Sequence, residues 1–226
     1  MLKMILPACS EGVMCLCCFL GGLGFITAAC AEAADIKDAT GEEIKAFFER
    51  QNKKVLTFVG YSGAGYEDQA LMLEQAERVL GEFDPARTIV NGGATAEGIG
   101  AVYELAKRKG FLTTGIVSSQ AKEYNAQLSP HVDYVFYLED ATWGGFIEGS
   151  EELSPTSKAM VENSDIIVGI GGGEVARDEM IAARRLGKEV RFIPADMNHQ
   201  KAIEKAKKNG LPDPTDFGGP AGEAFK

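Results

Sequence analysis

Ser164-Asp165-Ile166-Ile167-Val168-Gly169-Ile170-Gly171-Gly172-Gly173-Glu174-Val175-Ala176-Arg177-Asp178-Glu179 decides the fold class. Between its ends, Asp165 to Ile170 is wholly apolar and reads as a strand buried on both faces. Glu174 to Leu186 reads as a helix, closed by Gly187. Only glycine separates the two. A buried strand, a glycine turn and a helix make half of a βαβ unit.

The same alternation runs outward in both directions. Val55 to Val59 reads as a strand, Gly60 to Gly65 as a turn, and Tyr66 to Phe83 as a helix stopped by Asp84-Pro85. Thr88 to Val90 is the next strand. Asn91-Gly92-Gly93 leads from it into a helix from Thr95 to Lys109, ended by Gly110. Strands follow at Thr113 to Val117 and Val132 to Leu138, then a polar loop from Glu139 to Pro155 and a helix to Glu162. Glu189 to Ile193 and Asn198 to Lys208 supply a last strand and helix. Upstream, Thr40-Gly41-Glu42-Glu43 is a capping box that opens a short helix. Continuous apolar strands between helices predict an α/β fold: a doubly wound, Rossmann-like parallel sheet of about six strands in a single domain. The predicted divisions are a leader over 1–33, an N-terminal helix over 34–53, the Rossmann-like domain over 54–209 and a surface tail over 210–226.

Composition narrows the function. The chain has 226 residues, 45% hydrophobic and 25% charged, with a net charge of −10. Apolar content is too high for a disordered or collagen-like chain. The negative balance argues against a nucleic-acid partner, which would need a basic face. The two histidines, His131 and His199, and the spacing of the carboxylates suggest no metal site.

All five cysteines, Cys9, Cys15, Cys17, Cys18 and Cys30, precede residue 31, so the folded part has no disulfide and no cysteine nucleophile. Gly12 to Ala29 is an uncharged run, and Ala31-Glu32-Ala33 fits a signal-peptidase site. The expectation is export to the periplasm or envelope. The alternatives are a lipid anchor at Cys30, an uncleaved anchor, or a misplaced start with a cytoplasmic protein. The membrane enters only through this leader.

Three turns sit at strand carboxyl ends: Gly60-Tyr61-Ser62-Gly63-Ala64-Gly65, Asn91-Gly92-Gly93-Ala94-Thr95 and Gly171-Gly172-Gly173-Glu174. Glycine lets the backbone approach a ligand, and the N–H groups and dipole of a following helix suit a phosphate. Gly60, Ser62, Gly63, Gly92, Gly93, Thr95, Gly171, Gly172 and Gly173 are therefore the expected binding residues. The ligand class is a nucleotide or sugar phosphate, with no further cofactor. The spacing is neither a Walker A loop nor the Gly-x-Gly-x-x-Gly fingerprint.

In this order the motifs resemble the LOG-like, or lysine-decarboxylase-like, group of Rossmann proteins within the SLOG superfamily. The supporting segments are Phe58 to Gly63, Val90 to Thr95 and Ser164 to Gly173, with Glu179 following. The resemblance spans about Lys54 to Ala195 and implies binding of a nucleotide or its derivative, in a group whose members are commonly homodimers. Its enzymes release a base from a nucleoside monophosphate. They carry Pro-Gly-Gly-x-Gly-Thr-x-x-Glu after this strand, and an Arg-Lys pair on the preceding helix. Here the first stretch reads Gly171 to Glu179 without the Pro, the last Gly or the Thr, and the pair reads Ser157-Lys158. The departures fall on the catalytic set rather than on the cradle.

Glu179 is the candidate for a ribose contact or a catalytic carboxylate, and Lys158 for offsetting phosphate charge. Trp143, in the loop after the fourth strand, is a candidate for stacking on a base or for anchoring that loop. Lys201 to Lys208 reads as a solvated basic helix face. The leading function is an exported nucleotide-binding protein. The alternatives are a phosphoribohydrolase, its arginine supplied by Arg177 or Arg184, and a non-catalytic envelope interaction protein.

Overall fold

Val55 to Val59 shows how the sheet is built. Side chains along a strand alternate between its faces. Leu56 and Phe58 join Met72, Ala76, Val79, Val102 and Leu105 in one apolar layer. Val55 joins Ile44, Phe47, Ile89 and Met160 on the other face. Val59 continues that second layer with Ile167, Ala176 and Met180. A sheet with both faces apolar must be covered on both, which is the physical content of the doubly wound fold.

The computed structural model describes residues 34–225. The leader, its cleavage motif and the five cysteines lie outside the described residues. The elements in chain order are β1 (Asp35–Asp38), α1 (Gly41–Gln51), β2 (Lys54–Gly60), α2 (Gln69–Leu80), β3 (Thr88–Gly92), α3 (Ala101–Arg108), β4 (Leu112–Ser118), α4 (Gln120–Glu123), β5 (Tyr134–Leu138), α5 (Pro155–Glu162), β6 (Ile166–Ile170), α6 (Glu174–Arg185), β7 (Glu189–Ile193), α7 (His199–Lys208) and α8 (Gly219–Phe225). The sheet has seven strands in the order β1-β5-β4-β3-β2-β6-β7. Every neighbouring pair is parallel. From β2 the chain steps outward to β5, then returns to the far side of β2 with β6. The switch point therefore lies between β2 and β6, where Gly60 pairs with Ile170.

Three features differ from the sequence expectation. The strand β1 precedes α1 in what reads as a purely helical segment. All of its residues are exposed and it pairs only with β5 at the sheet edge, so it leaves no apolar pattern to detect. Asn91 belongs to β3 rather than to the following turn. Its side chain is buried, accepting from Thr114 Oγ1 at 2.9 Å and donating to Thr57 Oγ1 at 3.1 Å. Thr57 and Ser164 complete the row at 2.6 Å. This polar row holds β2, β3 and β4 in register beneath α5.

The third difference is the tail, which is not a surface segment throughout. Its last helix, α8, packs on α6, with Ala221 fully buried among Val59, Ala176 and Met180. Phe225 lies against Phe192, ring centroids 5.6 Å apart. Glycine in this stretch allows the close approach: a Cβ at Gly219 would lie 3.0 Å from the Gly172 carbonyl oxygen.

Candidate functional site

The β2 and β6 turns meet at the switch point. A Cβ added to Gly172 would lie 3.6 Å from the Cα of Gly60. Gly171 and Gly172 have φ values of 55° and 138°, the left-handed region that favours glycine. Gly173 is the N-cap of α6, with φ −83° and ψ −161° and no side-chain cap. The N–H groups from Gly173 to Val175 thus have no acceptor among the described residues. A Cβ at Gly173 or at Gly63 would meet nothing within 4 Å, so both turns are open on the side away from the sheet.

Two tyrosines close the crevice below them. Tyr66 Oη accepts from the Tyr61 N–H at 3.2 Å and donates to the Ile170 carbonyl at 2.7 Å, bridging the ends of β2 and β6. A Cβ on Gly60 would run into that hydroxyl, so Gly60 is glycine for packing. Tyr61 packs edge-on against Tyr66, and its Oη donates to the Gly218 carbonyl at 2.7 Å. The Ala221 N–H donates to the Gly172 carbonyl at 3.1 Å, so the tail covers one flank of the β6 turn. From α7, Lys201 Nζ donates to the Gly63 carbonyl at 2.9 Å. Ser62 is exposed, and its carbonyl closes the turn by accepting from the Gly65 N–H at 2.9 Å.

The β3 turn is different. Tyr103 Oη accepts from the Ala94 N–H at 3.1 Å and donates to the Thr114 carbonyl at 2.9 Å. A Cβ at Gly92 would sit 2.9 Å from that hydroxyl, so Gly92 serves packing. Thr95 Oγ1 is engaged with the Glu97 backbone, while Gly93 is open. Of the three turns, two form one cradle and the third is largely filled from within.

Glu179 lies behind the cradle. It is 5% exposed, and Ser157 Oγ donates to its Oε1 at 2.7 Å. Ser157 Oγ in turn accepts from the Gly145 N–H at 2.7 Å. Asp178 accepts from the Phe146 N–H at 2.9 Å and from Arg177. The loop after β5 is thereby laced to α5 and α6, over the carboxylate. Arg177 is held by Asp178, and Arg184 lies 4.1 Å from the centroid of the Phe225 ring. Neither pairs with Glu179.

Lys158 is exposed on α5 and pairs with Glu162 at 4.0 Å. It borders a cleft of about 950 Å³ lined from α1, α5 and the ends of β4 and β5, and Glu179 is not among the lining residues. Asp38, Glu42, Glu43, Glu139 and Glu162 line that cleft against two lysines, Lys122 and Lys158. Such a balance repels phosphate. Among the described residues no group of three or more His, Cys, Asp or Glu could hold a metal, and no helix is long and apolar enough to cross a membrane.

No family model and no curated protein matches the sequence. Solved structures do. The molybdenum cofactor carrier protein of Chlamydomonas reinhardtii is 18% identical, with 62% of this chain and 76% of that one covered and a TM-score of 0.45. The molybdenum cofactor binding protein of Rippkaea orientalis is 18% identical, covering 70% and 87%, with a TM-score of 0.46. These are distant likenesses.

Tyr66, Tyr61, Ser157 and Lys201 are the neighbours of the site that the sequence analysis did not single out. Tyr66 could have been noticed as a large aromatic just after a glycine turn; the others carry no local signal. Burial raises the Glu179 carboxyl to about 7, with the Ser157 hydrogen bond opposing and Asp178 adding to the rise. Between its ordinary value of 4.5 and about 7 the folded chain keeps a proton that the unfolded chain releases. This stabilisation is full below the lower value and lost as pH rises through the upper one. Glu179→Gln keeps an acceptor for Ser157 and removes the titration. Its melting temperature relative to wild type is expected to climb between about pH 4.5 and pH 7 and to level off above. Parallel curves would assign the buried proton elsewhere.

Proposed function

We propose that this protein binds a nucleotide or nucleotide derivative, with its phosphate on the joined turns of β2 and β6. The observation that carries the reading is the open, uncapped start of α6 abutting the β2 turn at the switch point. Backbone N–H groups and the helix dipole favour an anion there without help from side-chain cations. Gly63 and Gly173 leave room for it. Gly60 and Gly92 support the turns without touching the ligand. Binding is favoured over glycosidic cleavage, because Glu179 is enclosed and no arginine stands beside it among the described residues.

The test is a thermal-shift screen of the full chain. The panel comprises nucleoside mono-, di- and triphosphates, fragments of NAD, ribose 5-phosphate and the molybdenum cofactor. A ligand at 100 times its Kd adds about 2.7 kcal/mol, and each kcal/mol moves Tm by about 2–4 °C. A rise of about 5–10 °C is expected for at least one phosphate-bearing compound. A flat response across the panel refutes the reading.

A further inference from the structure

The loop from Glu139 to Ser154 holds the exposed aromatic Trp143 in place. Ser118 Oγ, at the carboxyl end of β4, donates to the Thr142 carbonyl at 2.5 Å. Thr142 donates to Asp140 Oδ1 from both its N–H and its hydroxyl, each at 2.8 Å. Asp140 Oδ2 accepts from the Thr156 N–H at 2.9 Å, which ties the loop to the start of α5. Gly144 and Gly145 follow at φ 113° and 85°, conformations that a side chain would strain. The loop is thus pinned on both sides of Trp143.

Pinned this way, Trp143 remains 53% exposed. The ring near it is Tyr124, 68% exposed, with centroids 5.6 Å apart and planes tilted by 47°. The two rings are not stacked on each other. Neither is spent on the core, so the apolar cost of their exposure is not recovered within the described fold. Two rings also make too small a patch for a stable protein interface.

Their position ties them to the cradle. A Cβ at Gly144, the residue after Trp143, would lie 3.0 Å from Val175 Cγ1, and one at Gly145 would lie 3.6 Å from Val175 Cα. Val175 belongs to the first turn of α6, whose N–H groups are open. The loop thus joins Trp143 to the anion site, and Tyr124, at the end of α4, stands beside it through the ring contact. We infer that Trp143 and Tyr124 form a stacking subsite for the planar ring of the ligand whose phosphate rests on the β2 and β6 turns. The inference rests on the proposed function and names the substrate class: a phosphate joined to an aromatic heterocycle, not a bare sugar phosphate. Recognition by ring faces is tolerant of base identity.

Trp143 is the chain's one tryptophan, so its emission reports on this subsite alone. The experiment titrates the full-length protein with adenosine, guanosine, cytidine and uridine 5′-monophosphates. Ribose 5-phosphate and inorganic pyrophosphate are the ringless controls, and thermal shift is the independent measure of binding. The expected result is a change in emission with at least one ring-bearing compound and none with the controls. Tyr124→Ala, at an exposed position, should weaken that compound about 10-fold and leave a ringless ligand unchanged. Trp143→Phe, which keeps a ring, should weaken it less than Trp143→Ala.

Ring-bearing compounds that raise Tm without altering emission would overturn the subsite and leave the phosphate reading intact. Emission that follows protein concentration instead of ligand would assign the patch to a second copy of the chain and overturn it too. If no compound raises Tm, both readings fall together.

Discussion

Gly173→Asp is expected to weaken the phosphate-bearing ligand by at least ~100-fold while leaving the melting temperature within about 2 °C of wild type. The reason is the N-cap position. Gly173 already has an extended backbone with φ −83°, and an added Cβ meets nothing within 4 Å, so the substitution fits. Asp is a good N-cap, and its carboxylate would accept from the N–H groups left open at the start of α6. It also places a negative charge where the ligand's phosphate is argued to sit. Two like charges about 4 Å apart near a protein surface cost on the order of 4 kcal/mol. A variant that folds as well as wild type and fails to bind separates the site from the scaffold. Thermal shift and titration with whichever compound the panel identifies make the measurement. Unchanged affinity would move the phosphate away from α6.

The second large effect is on stability. Tyr66→Phe is expected to cost about 2–4 kcal/mol and lower Tm by about 4–16 °C. The ring stays and only the hydroxyl is lost. That hydroxyl is the partner of two buried backbone groups, the Tyr61 N–H at 3.2 Å and the Ile170 carbonyl at 2.7 Å. Phenylalanine offers neither of them a partner, and an unmet buried donor or acceptor costs about 1–3 kcal/mol. Calorimetry or circular-dichroism melts decide it. A change of less than about 1 °C would mean that water replaces the hydroxyl, and that the crevice between β2 and β6 is open to solvent.

The parallel sheet was legible because it depends on local patterns. Ile166 to Ile170 is apolar without interruption and Val55 to Val59 is broken only by Thr57, the pattern of strands covered on both faces. Glycine turns follow both, and the capping box at Thr40 forms as expected, with Glu43 N donating to Thr40 Oγ1 at 3.2 Å. The strand β1 was not legible, since its pairing with β5 is a backbone matter at an exposed edge.

The site was legible in outline only. Three glycine turns look alike in sequence because each is a glycine between a strand and a helix. Their difference lies in which side chains and backbone segments fold back to fill them. Tyr103 fills the β3 turn, Tyr66 fills the crevice under Gly60, and Ala221 covers one flank of Gly172. Likewise Glu179 could be placed on a helix by its spacing. Its burial depends on Ser157 and Gly145, which precede it by 22 and 34 positions and reach it only through packing. Local propensity and periodicity thus determined the strands, the helices and the positions of the turns. Which turns stay open to a ligand was decided by tertiary contacts, because side-chain packing and hydrogen bonding across the fold depend on proximity in space and not on position along the chain.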